Sequence, residues 1–131
     1  MDEPVVGTVG WMDLTVGDAD GVRDFYKQVV GWESEGLPME GGAYEDYVMA
    51  SAAGEPVGGV CHARGGNAGL PAVWLVYVNV ADLDASLEAC RGNGGEVVNG
   101  PRDFGGQGRY AVIRDPAGAA MALFQAAKQE E

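Results

Sequence analysis

The second half of this 131-residue chain restates the first. Moved back by 64 residues without a gap, Val80-Ala81-Asp82 falls on Val16-Gly17-Asp18, Gly95 on Gly31, Asp115 on Ser51, and Ala117-Gly118 on Ala53-Gly54. One offset that satisfies two helix starts, two helix ends and a distant turn reads as an internal duplication. The fold must therefore be built from two copies of one small unit.

The content of that unit follows from periodicity. Leu14 and Val16 alternate with Asp13 and Thr15, the period-two pattern of a strand with two different faces. Asp18 is a good N-cap for a helix over residues 19–30, where Val22, Phe25, Tyr26, Val29 and Val30 recur at helical spacing and Gly31 ends the run. A short strand begins at Trp32 and Glu33, residues 36–42 read as loop, 44–51 as a third strand, and 56–63 as a fourth after the turn at 53–55. After a linker at 64–71, the series repeats as a strand at 74–80, a helix at 83–93 capped by Asp82, a short strand at 96–98, a long glycine-rich loop at 99–108, and strands at 110–114 and 119–125. The arm at 1–7 and the tail from Ala126 read as loose. The expected fold is α+β, with tandem βαβββ modules at 8–63 and 72–125 in a single domain, forming a curved mixed sheet with a concave ligand face.

Composition removes several functions. With 8 basic and 20 acidic residues, the formal charge is −12, against the clustered Lys and Arg that a nucleic-acid backbone requires. No apolar run approaches the ~20 residues of a membrane span, and the start MDEPVVG lacks the basic and apolar segments of a secretion signal. Cys61 and Cys90 have no metal-type spacing and read as reduced thiols, so a cytoplasmic protein is expected.

The duplication also sorts the sheet faces. Met12, Leu14 and Val16 match Val76, Val78 and Val80, all apolar and expected under the helices. Trp11, Asp13 and Thr15 match Leu75, Tyr77 and Asn79, a mixed aromatic and polar set that suits a ligand surface. On the fourth strands that face is expected to carry Gly58, Val60 and His62, matched by Ala122 and Phe124; a one-residue slip across either turn would swap the faces.

A duplicated βαβββ unit carrying Val16-Gly17-Asp18, Phe25-Tyr26, Val30-Gly31-Trp32, Val80-Ala81-Asp82, Gly94-Gly95, and Asp115-Pro116 with Gly118 resembles the vicinal oxygen chelate superfamily, the glyoxalase/bleomycin resistance/dioxygenase fold. The resemblance covers roughly residues 8–125. It implies four equivalent positions for ligands to a divalent metal, on the first and fourth strand of each module. Here those positions hold Trp11, Gly58, Leu75 and Ala122, none of which coordinates a metal. No metal and no other cofactor is expected, and the sole histidine, His62, lies four residues beyond Gly58.

No GxGxxG between strand and helix, phosphate loop, or Ser/His/Asp or Cys/His set stands in for the metal. Expected ligand contacts are Trp11, Asp13, Thr15, Tyr47, Tyr77, Asn79 and Phe104, with Asp13 and Tyr77 as the candidates for acid–base work. The leading expectation is a metal-free binder of a cationic or aromatic small molecule. A lyase, isomerase or dioxygenase of the same superfamily, and a non-catalytic interaction module with a plugged cavity, are the alternatives. A homodimer is expected under all three, because the modules leave sheet edges to cover.

Overall fold

A computed structural model describes residues 4–127. Among them the element order is β1 (Val9–Val16), α1 (Ala19–Val30), β2 (Glu33–Met39), β3 (Tyr44–Ala50), β4 (Pro56–His62), β5 (Trp74–Asn79), α2 (Leu83–Gly92), β6 (Glu96–Asp103), β7 (Gly108–Arg114) and β8 (Ala120–Ala126). This is the βαβββ unit twice over, an α+β architecture. The chain divides into two compact units: residues 11–74 form one, and the rest of the described chain forms the other.

In the first unit the strand order is β2-β3-β4-β1, with β1 parallel to β4 and the other pairs antiparallel. α1 begins where the Asp18 carboxylate accepts from the Gly21 amide at 3.0 Å, and it ends at Gly31, whose φ of 85° only glycine adopts at little cost. It lies over a core of Ala19, Tyr47, Met49 and Val60, joined by Val16, Val22, Tyr26, Trp32, Val57 and Trp74. The Trp74 indole N–H donates to the Tyr26 hydroxyl at 3.0 Å, so this tryptophan sits on the helix side, as its sequence position predicts.

The second unit repeats the plan with order β5-β8-β7-β6 and β5 parallel to β8. Asp82 caps α2 through the Ala85 amide at 3.1 Å. Leu83 and Leu87 pack on Ala111 and Leu123, with Val78, Val80, Val97 and Ile113 alongside.

Three expectations change. β2 and β6 run several residues further than predicted, through Gly36 and Pro38 in one case and Gly100 and Pro101 in the other. Both are the outermost strands of their units, where a ladder is needed on one side only and proline is tolerated. β6 absorbs its irregular residues in two register shifts between Val97 and Arg102. The arm is not loose in its described part. The Gly7 amide donates to the Asn79 carbonyl at 2.7 Å, and the Asn79 amide donates to the Thr8 carbonyl at 2.9 Å. The end of the expected tail, residues 128–131, and residues 1–3 lie outside the described span.

The third change concerns register. Ala50 pairs with Pro56 as Arg114 pairs with Ala120, in keeping with the 64-residue offset. One step on, Met49 pairs with Gly58 while Ile113 pairs with Met121, because a bulge at this point gives β4 one extra residue. From there Asp13 lies beside Gly59, whereas Tyr77 lies beside Ala122. Beyond the bulge, β4 therefore presents the face opposite to the one a gapless superposition assigns.

Candidate functional site

In the first unit, the face that carries Trp11, Asp13 and Thr15 is completed by Gly59 and Cys61, not by Gly58, Val60 and His62. The Trp11 indole N–H donates to Asp13 Oδ1 at 2.6 Å, fixing the carboxylate over β4. Gly59 permits this. A Cβ there would stand 2.5 Å from the same oxygen. Thr15 is buried, with little surface to offer a ligand. Burial, then the negative charges of Asp13 and Asp46, push the Cys61 thiol above its ordinary range and favour its protonated form. This patch offers an indole edge and an oriented carboxylate.

His62 and Tyr47 are corrections. Val60 and His62 stand beside Leu14 and Val16, and Tyr47 lies opposite Val60, which places all three on the helix side. Tyr47 is only 7% exposed. Its hydroxyl donates to Asp20 on α1, and that hydrogen bond, reinforced by burial and the Asp20 charge, raises the phenol to about 12. The Arg23 guanidinium rests 4.5 Å above the Tyr47 ring. The His62 backbone N–H donates to Asp46 Oδ1 at 2.8 Å, its ring Nδ1 stands 3.4 Å from the same oxygen, and its Nε2 stands 3.6 Å from Asp20 Oδ1. The group ties α1 to β3 and β4.

The second unit holds an aromatic surface. Tyr77, Asn79, Ala122 and Phe124 share one face by register, and β7 adds Tyr110 opposite Phe124. Ring centroids lie 6.2 Å apart for Tyr77–Tyr110, 5.8 Å for Phe104–Tyr110 and 6.2 Å for Phe104–Phe124. Phe104 comes from the turn between β6 and β7, closed by its own amide on the Gly108 carbonyl at 2.8 Å. At Gly108 a Cβ would collide with the Gln125 carbonyl and stand 2.8 Å from the Phe124 ring, so glycine lets the turn lie against that ring. Phe104 remains 49% exposed and Tyr77 and Tyr110 are partly exposed.

Two of these rings, Tyr110 and Phe124, are absent from the predicted contacts, although Phe124 is expected on this face; the pairing of β7 with β8 brings them to Tyr77 and Phe104. Asn79, a predicted contact, is buried, and its amide donates to Thr8 Oγ1 at 3.1 Å and more distantly to the Thr8 carbonyl. It anchors the arm. A shallow depression of about 440 Å³ beside the β6–β7 turn is bordered by Asp103, Arg109 and Gln125. Two of its polar groups are engaged: Arg109 grips Asp84 with two hydrogen bonds, and Gln125 accepts from the Leu83 amide at 2.7 Å.

The metal positions do not fit a metal. With the register corrected they hold Trp11, Gly59, Leu75 and Ala122, the last two fully buried hydrocarbon. Among the described residues no three His, Cys, Asp or Glu side chains gather closely enough to hold an ion. None of the helices there is long and apolar enough to cross a membrane, and both cysteines are free thiols.

Comparison with known proteins agrees with this architecture. The profile of the Glyoxalase/Bleomycin resistance protein/Dioxygenase superfamily matches residues 8–123. The chain is 36% identical over 121 residues to the "Putative glyoxylase CFP32" of Mycobacterium tuberculosis, covering 92% of this chain and 46% of that protein. It is 34% identical over 129 residues to the anthracycline biosynthesis protein DnrV of Streptomyces peucetius, covering 91% and 47%. The chain thus spans about half the length of the curated relatives it matches. Among solved structures, methylmalonyl-CoA epimerase from Mycobacterium tuberculosis superposes with a TM-score of 0.59 at 18% identity, covering 98% of this chain and 94% of that one. That likeness is one of fold.

Proposed function

The chain belongs to the Glyoxalase/Bleomycin resistance protein/Dioxygenase superfamily, and from that premise we propose that it binds a small molecule with a flat aromatic group, using side chains alone and no metal. The observation that carries the reading is the four-ring surface of Tyr77, Phe104, Tyr110 and Phe124. Aromatic faces and edges at these spacings accept a planar guest by stacking and edge contacts, and apolar surface with a few hydroxyls is the usual lining of a small-molecule site. The name of DnrV ties that relative to anthracycline biosynthesis, and fused aromatic rings are the kind of group a surface of this sort recognises.

Catalysis has one foothold. Asp13, oriented by Trp11, is the group that could take a proton from a bound substrate. This supports a metal-free isomerase or lyase as the second reading.

The test is a binding titration with planar aromatic cations, planar neutral rings and aliphatic cations, followed by tryptophan fluorescence and calorimetry. Planar compounds are expected to bind. Tyr110→Ala and Phe124→Ala should each weaken binding by roughly tenfold or more, since a stacked aromatic contact contributes about 0.5–1.5 kcal/mol beyond its buried area. Exhaustive chelation should leave the affinity unchanged. No binding by any planar compound, or binding indifferent to both substitutions, would overturn the reading.

A further inference from the structure

Three of the four aromatic rings in the second unit are carried by strands. Tyr77 lies in β5, Tyr110 in β7 and Phe124 in β8, where the ladder pairs Tyr77 with Ala122 and Tyr110 with Phe124. Phe104 stands just beyond the end of β6, at the head of the turn Phe104-Gly105-Gly106-Gln107. The backbone of that turn is fixed, the Gln107 amide donating to the Phe104 carbonyl at 2.9 Å and the Phe104 amide to the Gly108 carbonyl at 2.8 Å. The side chain has more room. Gly105 and Gly106 follow it, a Cβ at either would meet nothing within 4 Å, and Phe104 itself is 49% exposed. The freedom of this residue is therefore rotation about its side-chain bonds, between staggered positions, with the backbone held in place.

Its contacts suit a ring that gives way. Phe104 meets Tyr110 at an interplanar angle of 80° and Phe124 at 85°, edge-to-face in both cases. Such contacts are weak singly, and a flat guest can replace both. A guest stacked flat on Tyr110 or Phe124 would find the Phe104 ring nearly perpendicular to it. That ring must turn before its face can cover the guest. The other three rings are partly buried and stand in a sheet, with residues of neighbouring strands beside them. A floor of sheet-borne rings with one rotatable ring at its end is an arrangement that admits a planar group and then closes on it.

We propose that Phe104 gates and covers the aromatic surface: its ring rotates away from Tyr110 and Phe124 to let a flat guest in, then lays its face on that guest and sets how long it stays. The nature of the guest rests on the reading given above, whereas the rotation of the ring is tested without it.

Two measurements on the full chain decide this. In the free protein, three-bond couplings from the Phe104 Cγ to its backbone N and C′ report the side-chain rotamer. They are expected to be averaged at Phe104 and to show one rotamer at Phe124. Stopped-flow fluorescence with 9-aminoacridine, a planar cation, then gives the rates of entry and release. Phe104→Ala should release the probe roughly tenfold faster or more, with entry no slower. Phe104→Leu, which keeps an apolar side chain without a flat face, should behave likewise, and Phe104→Trp should restore slow release. Circular dichroism should show the same fold for all three. A single Phe104 rotamer, unchanged by the probe, would overturn the gate and leave the ligand reading standing. So would release within about twofold of wild type in both Phe104→Ala and Phe104→Leu while Tyr110→Ala weakens binding. No uptake of any planar compound would overturn both, since a gate needs a guest.

Discussion

A single hydrogen bond shows how far one residue's environment decides its chemistry. Tyr47 differs from the other four tyrosines in giving its hydroxyl to a carboxylate on a neighbouring helix while its ring is buried. Donating to Asp20 stabilises the protonated phenol, and burial opposes the phenolate, so both raise its ionisation to about 12 from an ordinary 10.0. The raised value means that the folded state holds this proton longer than the unfolded chain does. Its stabilising contribution is complete below pH 10 and is lost as the pH climbs toward 12. A spectrophotometric titration of the native protein should show a phenol that ionises near pH 12, absent from Tyr47→Phe and absent in denaturant. A late phase that survives the substitution would assign it elsewhere. The Trp11–Asp13–Gly59 arrangement is equally local in cause: an indole donor orients the carboxylate, and a missing Cβ leaves it room.

At the scale of elements, the two helices illustrate one position used in two ways. Both are capped by Asp through the amide three residues on, yet α2 buries Leu83 and Leu87 while α1 places Ala19 at the equivalent first site and relies on Val22 and Tyr26. Leu87→Ala removes a fully buried side chain and should cost about 3 kcal/mol in a denaturant titration. Val29→Ala should change stability by no more than about 0.5 kcal/mol, since its side chain faces water. A large loss at Val29 would mean that it packs within the chain. The strands show the other lesson. A one-residue bulge in β4 between Pro56 and Gly58 decides which side of β4 looks toward Trp11, and so moves His62 from the face of Trp11 and Asp13 to the clamp beneath α1.

For the whole molecule, charge is the dominant fact. With 8 basic against 20 acidic residues the chain carries −12 and repels itself. Salt screens that repulsion, the Debye length falling from about 30 Å at 10 mM to about 8 Å at 150 mM. The melting temperature should therefore rise over that range in a thermal denaturation series, and a fall would mean that attractive ion pairs outweigh the self-repulsion.

The sequence by itself determined the repeat, the order of elements, both helix caps and the fold family. These rest on local chemistry: an N-cap carboxylate, a glycine at positive φ and an alternating strand are legible within a few residues of themselves. Only the tertiary structure decided which residues meet. The bulge that turns β4 over is a property of its pairing with β3, and with a side-chain period of two a single extra residue exchanges every contact beyond it. Tyr110 and Phe124 join Tyr77 because β7 and β8 are in register beside β5, a relation between distant segments that no local pattern contains. The same holds for Phe25 and Val29. Helical spacing marks them as one apolar face, but whether a core reaches that face depends on what the strands beneath it leave uncovered.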